Sequence, residues 1–227
     1  MEINWLFVAI VCLFLVFTLN GYRKGFLRIV VSFIGTVVII IAVIALMPKV
    51  KEFVLENTTI YEATRQKVIH VFLNTIDDND NEEGNNEAIK SLNMPDIITD
   101  LLIEKNTSEI YQALMVTLFK DYISQYFAML IVNAALFVGM FIVLSIIKGI
   151  LLKSSDIIAK IPIIKGINRL LGAAIGVIQS VIITWIGFFG VIMFLGDELG
   201  YKLLEGVNDS QFLTYLFNSN YLLRFIS

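Results

Sequence analysis

The sequence predicts an all-α, polytopic membrane protein with four transmembrane helices, and three observations carry that prediction. Four stretches, 5–19, 26–47, 126–147 and 170–195, contain no charged residue except Arg28. Hydrophobic residues make up 57% of the chain and mean hydropathy is +0.80, more apolar surface than a soluble domain of this length hides. The bases gather in the two short connections between paired stretches, which is how membrane proteins retain them on one side.

A bilayer core about 30 Å thick needs about 20 apolar residues per helix. Three stretches meet that length, and the first reaches it when Ile3 to Tyr22 are counted. In hydrocarbon every backbone N–H and C=O must pair within its own segment, so each span is expected to be a helix. The start, Met1-Glu2-Ile3-Asn4, lacks a basic n-region, and no small-residue cleavage site follows, so the first span is expected to persist as a membrane helix. Cys12 excludes an intrachain disulfide, being alone, and is expected to sit buried as a small hydrophobe beside Val11, Leu13 and Phe14. Gly21-Tyr22-Arg23-Lys24-Gly25-Phe26 reads as a tight turn into the second helix, with permissive glycines at Gly21 and Gly25 and headgroup anchors at Arg23 and Lys24.

Segment 48–125 is too long for a plain connection and reads as partly helical. Tyr61, Thr64, Val68, Val71 and Phe72 mark one apolar face within 58–76. The acidic run 77–87 repels itself and predicts a mobile loop. An EF-hand reading fails, because counting from Asp78 puts Glu83 where the loop needs Gly and Ile89 where it needs Glu. Asn93-Met94-Pro95-Asp96 predicts a helix start with Asn93 as the capping side chain, followed by an apolar stripe of Ile97, Ile98, Leu101 and Leu102. A second start at Asn106-Thr107-Ser108-Glu109 leads through Ile110, Leu114 and Leu118 toward the third span. This segment is expected to form a small helical cap or interfacial layer, with too few apolar residues for a large core of its own.

The connection between the third and fourth spans is amphipathic. Ile150, Leu151, Ile157, Ile158 and Ile161 fall on one side; Lys153, Asp156 and Lys160 fall on the other, and Pro162 ends the pattern. It predicts either a helix lying in the headgroup plane or an extension of the third span. The two short connections, counting the first turn of the second span, carry eight bases against the single acid Asp156. Segment 48–125 carries seven bases and fourteen acids, and the tail two and four. The basic connections therefore face the cytoplasm, and both termini, segment 48–125 and the tail face out. The organisation is 1–47, two helices with a basic inner turn; 48–125, the outward segment; 126–196, two helices with a basic inner loop; and 197–227, an outward tail. The halves share no register that would mark an internal repeat.

The chemistry-bearing residues are mostly missing from the spans. No Asp, Glu, His or Lys lies near the midplane, which argues against a proton-coupled path and against an intramembrane aspartyl or metalloprotease. Ser32, Ser145 and Ser180 have no histidine partner within the spans, and the single His70 falls in the polar helical pattern of 58–76. No glycine-rich phosphate loop is present. These features predict a protein that is not an enzyme and binds no metal, cofactor or nucleic acid. What remains is small or polar. Asn133, Gln179, Ser180 and Thr184 can bond between helices, and Gly172 and Gly176, with Ala173 and Ala174 between, make a small-residue face. That face serves either packing within the chain or a homo-oligomer seam, with Gln179, Ser180 and Thr184 then lining a pore.

Two clusters carry a resemblance. One is the turn Gly21-Tyr22-Arg23-Lys24-Gly25-Phe26 after a helix opening on Asn4-Trp5. The other is Ile161-Pro162-Ile163-Ile164-Lys165-Gly166-Ile167-Asn168-Arg169-Leu170-Leu171-Gly172-Ala173-Ala174-Ile175-Gly176, leading into the fourth span. In this order they resemble the colicin V production protein (CvpA-like) family, over the four-helix frame and most clearly across 4–47 and 126–190. Segment 48–125 and the tail fall outside the resemblance. It implies a bacterial plasma-membrane protein that supports toxin production or export, or envelope homeostasis, and it brings no catalytic residues. The expected function is a non-enzymatic membrane organiser, with Arg23, Lys24, Lys165 and Arg169 holding anionic lipid headgroups or an inner export or envelope partner. Gly21, Gly25, Asn168, Gly172 and Gly176 would form the turns and helix contacts. The alternative is a small oligomeric channel or solute facilitator.

Overall fold

The computed structural model describes residues 4–72, 82–113, 118–153, 167–195 and 197–227. The described residues form ten α-helices and a 3-10 turn, with no strand. In order these are α1 Trp5–Lys24, α2 Phe26–Asn57, α3 Ile60–Phe72, α4 Glu82–Ser91, α5 Asp96–Glu104, α6 Ser108–Ala113, α7 Phe119–Lys153, α8 Ile167–Met193, α9 Glu198–Asn208, α10 Gln211–Asn218 and the turn Tyr221–Phe225. Four of them, α1, α2, α7 and α8, are long and apolar enough to cross a membrane. Leu15, Val16, Ile41, Val143, Ile146 and Leu170 lie exposed along these helices, a surface suited to hydrocarbon rather than water.

Contacts divide the chain into two compact units, 1–50 with 136–187 and 51–135 with 188–227. In the first unit, Asn4 starts α1 by accepting a hydrogen bond from the Phe7 N–H at 3.0 Å. Gly25, at φ 77°, ends it, and its N–H donates to the Gly21 carbonyl at 2.9 Å. That left-handed residue alone makes the turn and lets α2 begin at Phe26. Residues 21–24, expected within the turn, instead form the last turn of α1, and Gly21 needs no permissive backbone. Of the large apolar side chains of α1 only Ile10 is buried, so Cys12 lies exposed on that helix. The expectation of a buried thiol is corrected: the helix meets its neighbours through a narrow strip, and Cys12 lies off it.

The second unit joins segment 51–113 to the C-terminal helices. Helix α10 packs on α9 and on α5, and α5 packs on α4. Val68, Ile89, Leu102, Tyr122, Phe127, Phe217 and Leu223 are buried together in this unit's core. Segment 48–125 thus supplies part of this core, and α7 beyond it, the last turns of α8 and the tail supply the rest. Phe188 and Phe217 bring their ring centroids to 4.8 Å, and the Tyr122 hydroxyl donates to the Leu102 carbonyl at 2.8 Å.

Two local expectations are corrected here. Asn93 does not cap α5. Pro95 occupies the N-cap position without a side-chain bond, and Asn93 adopts φ 50°. The Ile97 N–H instead donates to Asn218 Oδ1 at 3.3 Å, while Asn218 Nδ2 donates to Asp96 Oδ2 at 2.7 Å. The cap comes from the end of α10, more than a hundred residues away in sequence. The acidic run is helical from Glu82 onward, because Ile89 is buried and Asn86 accepts from Asn106 Nδ2 at 3.0 Å. These tertiary contacts outweigh the self-repulsion of the run, whose portion 77–81 lies outside the described residues. The helix expected at 58–76 is described as α3, and 73–76 also falls outside.

Candidate functional site

The residues singled out in the sequence meet in the first unit, where the α1–α2 turn rests against α8. Gly21 faces Gly172 so closely that an added Cβ would fall on the Gly172 carbonyl oxygen, 2.9 Å from its carbon and 3.3 Å from Gly176 Cα. From the other side, a Cβ on Gly172 would strike the Gly21 oxygen and lie 2.8 Å from the Gly25 carbonyl carbon and 2.9 Å from the Phe26 nitrogen. A Cβ on Gly176 would strike the Phe17 oxygen and come within 3.1 Å of Thr18 Cα. Every one of these neighbours is backbone. The two helices touch main chain to main chain, which only glycine permits.

The rest of the turn is held by side chains of α8. A Cβ on Gly25 would fall on the Asn168 amide, with its Cγ 3.1 Å away. The Arg169 guanidinium lies 5.8 Å from the centroid of the Tyr22 ring, a cation–π arrangement. Tyr22 was not singled out in the sequence; its place between Gly21 and the basic pair was the only signal. Arg23 and Lys24 are exposed at the turn, and among the described residues neither pairs with a carboxylate. Lys165 and the connection from 154 to 166 lie outside the described residues, so the expected in-plane amphipathic helix does too. Its first turn, through Lys153, belongs to α7.

The polar residues of α8 lie within the packing of this unit. Gln179, Ser180 and Thr184 are all buried, Ser180 without measurable exposure. Ser180 Oγ donates to the Val177 carbonyl at 2.6 Å and Thr184 Oγ1 to the Ser180 carbonyl at 2.8 Å, both within their own helix. The expected interhelical bonds from these two hydroxyls are corrected. Hydroxyls one turn from a carbonyl find it before they find another helix. Gln179 Oε1 is buried without a hydrogen-bond partner among the described residues. Asn133, in the second unit, donates from Nδ2 to the Ile226 carbonyl at 2.6 Å and so ties the tail to α7. Elsewhere in the first unit, Lys148 Nζ donates to Thr36 Oγ1 at 3.3 Å, and Thr36 Oγ1 donates to the Ser32 carbonyl at 3.1 Å.

The arrangement joins the basic turn to α8 through glycine backbone, the Asn168 amide and the Arg169–Tyr22 pair. Among the described residues no group of three or more His, Cys, Asp or Glu side chains is placed to hold a metal ion. No protein-family model, no curated protein and no solved structure matches the chain.

Proposed function

We propose that this chain is a non-enzymatic organiser of the bacterial plasma membrane, of the colicin V production kind, supporting toxin export or envelope homeostasis. The observation that carries the reading is the docking of its two distinctive motifs. The Gly21–Phe26 turn and the Asn168–Gly176 start of α8 meet through glycine backbone, the Asn168 amide and the Arg169–Tyr22 pair. In this reading the basic turn faces the cytoplasm, both termini face out, and the docked glycines hold Arg23 and Lys24 at a fixed height against anionic headgroups. Each nearby base strengthens such binding by about 1 kcal/mol. Lys165 and Arg169 would add to the same patch.

The test is the charge-reversed pair Arg23→Glu/Lys24→Glu in cells and in nanodiscs. Topology, preference for anionic lipid and the export or envelope phenotype should all weaken. Retention of all three would remove the anchoring role. The alternative of an oligomeric channel around α8 has less support, since α1 of the same chain covers Gly172 and Gly176. Gln179, Ser180 and Thr184 are packed away as well.

A further inference from the structure

The second unit contains a cavity of about 250 Å³ that the preceding reading does not use. Two lysines from distant parts of the sequence line it, Lys51 near the end of α2 and Lys105 just after α5. Both are half-buried, and among the described residues neither is paired with a carboxylate. Their charges repel one another. Burial lowers the Lys105 ammonium below the ordinary lysine value, and the neighbouring Glu104 opposes that shift only in part. The Lys105 Nζ sits 5.5 Å from the centroid of the Tyr126 ring.

Two further lining residues bring buried polar atoms to the cavity. Among the described residues Asn133 Oδ1 lacks a hydrogen-bond partner, and the Tyr126 hydroxyl interacts with the Ser227 side chain. Both atoms are buried, and a buried polar atom such as Asn133 Oδ1 rarely goes without a partner. The opposite character is present too, since Ile110, Met129 and Leu130 give the cavity an apolar wall. Two half-buried cations with no carboxylate partner among the described residues, beside a buried amide oxygen and an apolar wall, call for an anion attached to something apolar. Lysine binds as a point charge, which suits the several oxygens of a phosphate better than the fork of a carboxylate. A pocket below the usual ligand range of about 300–1,000 Å³ takes a headgroup rather than a whole lipid.

We propose that this cavity binds a phosphate-type anion between Lys51 and Lys105, in the form of an anionic phospholipid whose apolar portion lies along Ile110, Met129 and Leu130. Free inorganic phosphate shares the recognised chemistry. The inference rests on neither the family resemblance nor the orientation of the chain.

The test uses the full chain in phosphatidylcholine nanodiscs, with and without phosphatidylglycerol, and reads amine-reactive labelling of each lysine by peptide mass. Phosphatidylglycerol should protect Lys51 and Lys105 while leaving the exposed Lys90 unprotected. Removing both charges in Lys51→Gln/Lys105→Gln should weaken lipid retention, read by native mass spectrometry, roughly thirty-fold. Lys51→Arg/Lys105→Arg should retain it. Protection by inorganic phosphate in phosphatidylcholine alone, without any added effect of phosphatidylglycerol, would assign the site to the soluble anion. Labelling of Lys51 and Lys105 unchanged by either anion in the wild-type protein would overturn the proposal, whatever the variants do.

Discussion

Replacing Gly172 by alanine is the sharpest perturbation of the docked turn. The new methyl would overlap the Gly21 carbonyl oxygen and stand 2.8 Å from the Gly25 carbonyl carbon and 2.9 Å from the Phe26 nitrogen. Carbon atoms in ordinary contact sit about 3.5–4.0 Å apart, so α1 and α8 must separate by roughly 1 Å. All three neighbours are backbone, and no side chain can swing aside. Over-packing of this kind costs about 1–3 kcal/mol, against which alanine recovers about 1 kcal/mol of helix propensity over glycine. Gly139 in α7 supplies the matched control, since nothing lies within 4 Å of a Cβ built there. Gly139→Ala should therefore stabilise by about 1 kcal/mol, and the two variants should differ by about 1–3 kcal/mol. Equilibrium unfolding in mixed micelles, followed by tryptophan fluorescence, measures that difference. Equal stability of Gly172→Ala and Gly139→Ala would refute the close approach.

Other positions give separate expectations. Gly25→Ala places an L side chain at φ 77° and against the Asn168 amide, so it should destabilise by at least about 1–2 kcal/mol in the same assay. Tyr122→Phe removes the donor to the buried Leu102 carbonyl and should cost about 1–3 kcal/mol, with faster hydrogen exchange confined to the second unit. Lys105 has a folded value lowered from the ordinary 10.5, so the unfolded chain binds its proton more readily. It should add a component of stability that rises with pH up to the ordinary lysine value and is missing at lower pH. The difference between wild type and Lys105→Gln, measured across that range, should show this slope, and a flat difference would contradict it.

The spans were readable because hydrocarbon demands long uncharged runs, and α1, α2, α7 and α8 contain them. Their polar continuations were less readable. Helix α2 runs to Asn57 and α7 begins at Phe119, where periodicity is diluted by charge. The turn at Gly25 and the small-residue face at Gly172 and Gly176 stand out by composition, whereas their mutual contact depends on helices that no local pattern orients. The second unit was the least legible part. Its core joins Val68, Ile89 and Leu102 to Phe217 and Leu223, and its key bonds, Asn218 to Ile97 and Asn133 to Ile226, link residues 121 and 93 positions apart. The expectation of Asn93 as a cap failed for the same reason, because the acceptor arrives from α10. Lys51 and Lys105 each look like ordinary surface bases until folding places them on one cavity.

One chain docks its own α1–α2 turn on α8. Tyr22→Cys/Arg169→Cys, in a Cys12→Ser background, tests it by cross-linking with a short bifunctional thiol reagent in native-lipid nanodiscs. Docking within the chain should give rapid cross-linking within single chains, with no dimer formed. Cross-links appearing only between chains, or none while both thiols remain reactive, would contradict it.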